Sequence, residues 1–403
     1  MKCNVLAAAV DPFHTSPYPH NPLPFSQTLR VGLMAVAAVS LVSHTSQANP
    51  IVTDLGTLYG GYSQATAINN SDVVVGVSDN QAFVWDANNG MKALPSLFVG
   101  GRSGALALND QSQVVGYAEL PPPANGPTNA LVIVHAVRWQ QNNSSIWKIK
   151  DLGTIQNPSV NYSSTASAIN NSGKVAGWGQ TAAFGTHALS KHGNAAIKDL
   201  LTLPNGTFSE ALGINSTAYI VGRSDSSSSS FSRPHAVVCS PGSTIPFGHD
   251  LGTFAIGGSS RASAINNIDT FNPMPYVVGD SDGSAFIHKF IGVASLLNPA
   301  SATTGGDNLG VLSGDSRSSA AAINSSRDVV GTSAGAYTYG TYSRAFVYPD
   351  PINTANQMQD LNALAFSSTF ILVEASGINS SGKIVGSAAD VTVFSTHAFL
   401  FEP

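Results

Sequence analysis

Charge is scarce in this 403-residue chain, so the places where it gathers are the first candidates for chemistry. Only 10% of the residues are charged, the formal net charge is −5, and the four glutamates are Glu119, Glu210, Glu374 and Glu402. Glu210 and Glu374 fall at one position of a recurring strand, and Arg261 occupies that position in another copy. Paired carboxylates beside an arginine are the groups that acid–base cleavage of a glycosidic bond requires. They serve equally well as a structural ion pair, Glu210 with Arg261, between neighbouring copies. A second set is His135, His187, His235 and His397, one per copy. Metal ligands must converge within ~2–2.6 Å of one ion, so histidines spread one to a copy predict hydrogen bonds inside each copy. A third set is aromatic. Tyr117 and Trp178 directly follow a strand glycine, Tyr337, Tyr339 and Tyr342 alternate with small residues, and Tyr59, Tyr62, Tyr162 and Phe208 lie in nearby loops. Rings set among Ser, Asn and Thr suit stacking on sugar faces, and the alternative is that they pack their own loops.

Other motifs weigh less. Asp280-Ser281-Asp282-Gly283-Ser284 begins like a calcium loop, but Ile291 stands where the twelfth-position Glu belongs. An Asp-Gly turn is the simpler reading. No G-x-S-x-G, H-E-x-x-H or phosphate-cradling glycine loop occurs, so standard hydrolase, zinc-protease and nucleotide roles lack support. No catalytic residue, metal or cofactor is therefore assigned. Cys239 follows Val237 and Val238 in an apolar run and reads as a small buried hydrophobe.

The positioning elements are repeats. Residues 63–76 read SQATAINNSDVVVG, and the pattern returns at 103–116, 164–177, 209–222, 260–279, 318–331 and 373–386. Its asparagine falls at 69, 109, 170, 215, 266, 324 and 379. After each glycine comes a short run such as QAFVW (81–85) or HAFLF (397–401), then a segment headed by Asp-Leu-Gly or a near copy, as at 151, 250 and 308. Each unit therefore offers four short strands, here a to d, and four strands at about fifty residues per unit mark a β-propeller blade. The predicted fold is all-β, a seven-bladed β-propeller. Strand a suits the axis, where converging sheets leave room only for small side chains, because Ala65 and its six counterparts are alanine without exception. The seventh unit has no strand d of its own, whereas Ile51-Val52-Thr53-Asp54-Leu55 is a strand d without a blade. The ring is thus expected to close by the N-terminal strand pairing with the last blade, which covers two sheet edges.

Over residues 51–403 the D-L-G-x-L, A-x-x-I-N-x-x-G-x-V-x-G and H-A-F elements resemble the HAF-repeat family of bacterial extracellular repeat proteins. The resemblance implies export and a repeat architecture, and it carries no catalytic residues onto this chain. Residues 31–42 (VGLMAVAAVSLV) follow Arg30 and precede Ser46-Gln47-Ala48. Such an apolar stretch with small residues at the cleavage site predicts a signal peptide cut after Ala48. Twelve residues are too short for a span needing about twenty. The expected organisation is 1–48 as N-terminal extension and signal peptide and 49–403 as the propeller, secreted to the extracellular space or periplasm.

Composition narrows the function. About fifty serines and 38 glycines with 43% hydrophobic residues exclude coiled coils and disorder. Eighteen thinly spread basic residues give no face for nucleic acid. The reading is a monomeric binding or interaction module without catalytic activity, meeting carbohydrate or another extracellular polymer through its loop-rich face. The candidate ligand residues are Glu210, Arg261, Glu374, Tyr117, Trp178, Tyr337, Tyr339 and Tyr342. A glycan-active hydrolase or lyase, and a structural matrix protein, stay open as alternatives.

Overall fold

The computed structural model describes residues 49–403 apart from 123–131, 156–161, 183–184, 227–232, 243–247, 269–272, 293–295, 303–305, 336–342, 354, 366–368 and 393–394. Pro50–Pro403 form one compact unit of seven four-stranded antiparallel sheets, a seven-bladed β-propeller. Six sheets take their strands in chain order, beginning with Ser63–Ile68, Val74–Ser78, Gln81–Asp86 and Gly90–Ala93. The seventh contains Phe370–Ile378, Ile384–Asp390 and Ser395–Glu402, and Ile51–Asp54 lies on its outer edge in the register Ile51↔Glu402 to Asp54↔Phe399. Among the described residues, no helix is long and apolar enough to cross a membrane.

Apolar burial runs along the seams between blades. One cluster joins Ala65, Ile68 and Phe83 of the first blade to Val385, Ala398 and Leu400 of the seventh. The alanine at the head of each strand a, from Ala65 to Ala375, is fully buried. Two residues on, glycine appears where the axis is tightest. A Cβ on Gly377 would lie 3.1 Å from the backbone of Ala67 in the next blade, and one on Gly213 would lie 3.1 Å from the carbonyl oxygen of Ser263.

The glycine after each V-V pair has a local cause. Every inner hairpin shifts register at the same point, between Ala211 and Gly213 in the fourth blade. The bulge turns the carbonyl of the preceding residue toward strand b, so a Cβ on Gly222 would sit 1.8 Å from the oxygen of Glu210. That close approach admits no side chain.

Most of the repeated polar residues bind blade to blade. The serine that opens strand a accepts from the alanine N–H of the preceding blade's strand c, at 2.8 Å for Ser63 and Ala398 and 2.7 Å for Ser260 and Ala236. The same hydroxyl donates back to that blade's Asp-Leu-Gly carbonyl, 2.7 Å from Ser164 to Gly153. The aspartate of Asp-Leu-Gly pairs with the strand c histidine of its own blade. These pairs are His135–Asp151 at 2.8 Å, His187–Asp199 at 3.0 Å, His235–Asp250 at 2.9 Å and His397–Asp54 at 3.0 Å. Arg344 fills the histidine's place in the sixth blade and reaches Asp360 at 2.9 Å. The histidine column therefore ties strand c to strand d, and no group of three metal-binding side chains occurs among the described residues.

Candidate functional site

Strand a begins at the end of the ring that carries the d–a and b–c loops and finishes at the a–b turns. Five steps of ~3.4 Å separate Ser63 from Ile68, so the two ends of the axis stand roughly 17 Å apart. Each end presents its own set of polar groups.

At the loop end, the hairpin register pairs two variable columns: the residue after the opening position of strand a faces the residue after the strand b glycine. The pairs are Gln64↔Val77, Gly104↔Tyr117, Thr165↔Trp178, Glu210↔Arg223, Arg261↔Asp280, Ser319↔Thr332 and Glu374↔Ser387. Size and charge complement one another across the hairpin, as expected of cross-strand neighbours. Tyr117 lies over Gly104, where a Cβ would come within 2.7 Å of its ring.

This geometry corrects the expected ion pair. Glu210 does not pair with Arg261 across blades: Arg223 of its own blade reaches it at 2.9 Å and stacks its guanidinium over Phe208 at 5.2 Å. Arg261 pairs with Asp280 at 3.1 Å and donates to Ser319 of the next blade at 3.3 Å. Glu374 accepts from Gln64 at 3.0 Å and from Ser387 at 3.4 Å. Glu210 and Glu374 thus stand in the fourth and seventh blades with separate partners. Of the other proposed residues, Tyr117 and Trp178 are partly buried on inner strands. Tyr337, Tyr339 and Tyr342 lie outside the described residues.

Sequence reasoning missed the residue that follows strand b. Its side chain accepts backbone N–H groups from the loop entering the same blade. Asp79 holds Tyr59 at 3.0 Å and Tyr62 at 3.2 Å, and Asp282 holds Ala255 at 2.9 Å and Ser259 at 3.0 Å. Asp225 holds Thr207 and Phe208, each at 2.8 Å, and Glu119 and Gln180 act likewise on Arg102 and Ser163. The signal was present as an acid or amide soon after V-V-G in five units. Each clamp fixes a loop tip, and the tips are exposed: Tyr59 by 72%, Val99 by 102% and Ile256 by 109%. The clamp also explains Gly61, whose Cβ would meet the Asp79 carboxylate at 1.9 Å.

Among the described residues, an aromatic corner lies where the first and second blades meet. Tyr62 donates its hydroxyl to Asn80 at 3.1 Å and is 40% exposed. Arg102 bonds Glu119 close by. Burial pushes the Tyr117 hydroxyl up to about 12, with Tyr62 and Glu119 adding to the rise and Arg102 opposing it. Tyr117 therefore keeps its proton at physiological pH and is a donor as well as an acceptor.

At the turn end, the repeated asparagine has two jobs. Its Oδ1 accepts backbone N–H groups of its own turn, from Ser71 and Val73 at 3.0 Å each for Asn69. Its Nδ2 donates to the asparagine carbonyl of the next blade: Asn109 to Asn170 at 3.0 Å, Asn170 to Asn215 at 3.0 Å, Asn215 to Asn266 at 3.1 Å and Asn379 to Asn69 at 3.2 Å. Local turn chemistry predicted the first job and gave no hint of the second.

No protein-family model matches the chain, and no curated protein matches it. Among solved structures it is similar to a streptogramin B lyase (TM-score 0.42, 9% identity, covering 88% of this chain and 98% of that one). It is also similar to the PQQ-bound aldose sugar dehydrogenase of Streptomyces coelicolor (0.40, 13%, 88% and 99%) and to the Dos1 propeller (0.40, 11%, 87% and 94%). The likeness is one of fold.

Proposed function

We propose that the chain is an extracellular binding module that engages carbohydrate, or another extracellular polymer, through the loop-rich end of the propeller. One observation carries this reading. Tyr59 and Tyr62 stand exposed on a Gly-Gly turn that the Asp79 carboxylate holds by two backbone N–H groups. An aromatic pair fixed in advance binds a sugar face without ordering a loop first. Asn80, which accepts from the Tyr62 hydroxyl, adds an amide beside the ring. The alternative is a glycan-active hydrolase using Glu210 and Glu374, whose partners are Arg223 and Gln64.

The test is a glycan array probed with the purified protein and with Tyr59→Ala/Tyr62→Ala. Parent binding that drops at least tenfold in the double variant supports the proposal. Binding that survives both substitutions refutes it. Export with cleavage after Ala48 belongs to the same proposal, and N-terminal sequencing of secreted protein checks it, because a chain that begins at Met1 would sink it. So does ring closure by Ile51–Asp54. Lys383 supports that closure by bridging Asp72 of the first blade at 2.9 Å and Glu402 of the seventh at 2.6 Å. Asp54→Ala, which strips His397 of its partner, is expected to unfold at lower urea than Asp199→Ala, whose blade is continuous in the chain.

A further inference from the structure

The turn end of the axis holds a cavity that the loop-face reading does not use. Its volume is about 200 Å³, and all seven blades line it with the Ile or Leu that ends strand a and the residue after the belt asparagine, six of them also with that asparagine itself. Its accessible lining is mostly amide and hydroxyl, with the branched Ile and Leu side chains supplying a smaller apolar part.

The mouth has two unlike halves. In the first three blades its groups are committed to one another. Asp110 accepts from the backbone N–H of Asn70 at 3.0 Å, from Asn70 Nδ2 at 3.1 Å and from Asn171 Nδ2 at 2.8 Å. Asn70 Oδ1 in turn accepts from Ser380. Burial alone would raise the Asp110 carboxyl, but the bonds from Asn171 and Asn70 outweigh it and hold the group below its ordinary range. Among the described lining residues Asp110 is the one carboxylate, and it is therefore ionised and already wrapped by three N–H donors. Across the opening, in the fourth to sixth blades, stand Ser216, Asn267 and Ser325. Asn267 Oδ1 accepts from the Ser216 N–H at 2.7 Å, and among the described residues neither its Nδ2 nor the two serine hydroxyls are committed to a neighbour.

Chemistry limits what fits. Asp110 already has three N–H donors, and among the described residues no cationic side chain lines the cavity, so an anion finds no counter-charge and a cation only a carboxylate engaged elsewhere. A purely apolar solute would strand the amides and hydroxyls at the rim, each at a desolvation cost. The volume corresponds to a handful of waters at ~30 Å³ each, below the ~300 Å³ at which drug-sized pockets begin. We propose that this cavity is a second binding site, for a single neutral polyhydroxylated ring such as a monosaccharide unit or a cyclitol. Its C–H face lies against the Ile and Leu ring, and its hydroxyl groups meet Ser216, Asn267 and Ser325.

Saturation-transfer NMR on the purified chain tests this with free glucose, galactose, mannose and inositol as probes. At least one probe is expected to give a saturable signal. Ser216→Phe and Ser325→Phe, at exposed turn positions, should weaken it at least tenfold while the thermal midpoint stays that of the parent. The gentler Ser216→Ala/Ser325→Ala double variant should weaken it several-fold. Tyr59→Ala/Tyr62→Ala should leave it unchanged, which separates this site from the one at the loop end. Absence of any saturable signal overturns the proposal, as does binding unchanged in all the serine variants. Binding abolished by the tyrosine pair would also overturn it, by moving the sugar to the other end.

Discussion

The two ends of the inner strands solve opposite problems with the same seven hairpins. At the turn end, one residue type repeats in every blade: its Oδ1 holds its own turn, and in six blades its Nδ2 reaches the carbonyl of the neighbouring asparagine. At the loop end, the facing pairs vary from blade to blade, and several of their contacts stay inside one hairpin: Glu210 with Arg223, Arg261 with Asp280, Tyr117 over Gly104. Gln64–Glu374 and the Ser319 contacts cross a seam there. A bond to the neighbour demands the same residue in every blade, whereas a bond within the hairpin lets each blade choose its own. Assembly and variation are thereby kept at opposite ends of one strand.

Five measurements would break or sharpen that contrast. The largest effect is expected of Gly222→Ala, because the new Cβ would collide with the Glu210 carbonyl at 1.8 Å. A loss above ~3 kcal/mol in urea unfolding, or no folded protein at all, is the expected result. Next comes Asn170→Ala. It strands the Ser172 and Lys174 N–H groups and the Asn215 carbonyl, and the buried loss is about 2–4 kcal/mol. Arg223→Gln at the other end, a partly exposed pair, should cost under ~1 kcal/mol. Equal costs for these two would abolish the distinction between the ends.

Leu201→Gly works in the opposite sense. Leu201 stands at φ 63 in the place where other blades have the glycine of Asp-Leu-Gly, and it is 46% exposed. Relief of that left-handed strain should raise stability by about 1 kcal/mol. The smallest effect concerns pH. The bond to Asp250 raises His235 above its ordinary 6.5, against burial, which lowers it. A raised histidine contributes stability that is complete below 6.5 and is lost as pH rises through the higher folded value. His235→Gln should therefore flatten the thermal midpoint in that window and nowhere else.

Much of the architecture was legible because repetition marks it. The alanine column announced the axis, and the four strand runs announced the blade. The Asn-x-x-Gly/Asp turns and the glycine after V-V were equally visible, although the collision that requires the glycine needs the bulge at Ala211/Gly213 to be seen. What stayed hidden concerns partners. Glu210 and Arg261 recur at one repeat position, which suggested a contact between blades. The register instead set Glu210 against Arg223, thirteen residues on in its own hairpin. The Asp79 and Asp282 clamps reach backbone N–H groups, which carry no sequence identity, so no residue pattern foretold which loop they would hold. The belt amides escaped for the same reason, since their acceptors are carbonyls.

The asparagine belt also bears on how such a chain can change over generations. Each unit carries both halves of the joint, a donor for the blade ahead and an acceptor for the blade behind, and neither half depends on which blade stands next. A unit copied, deleted or exchanged by recombination arrives with its couplings intact. Selection can then shuffle the loop ends, with their different tips and clamps, as interchangeable cassettes on an unaltered hub.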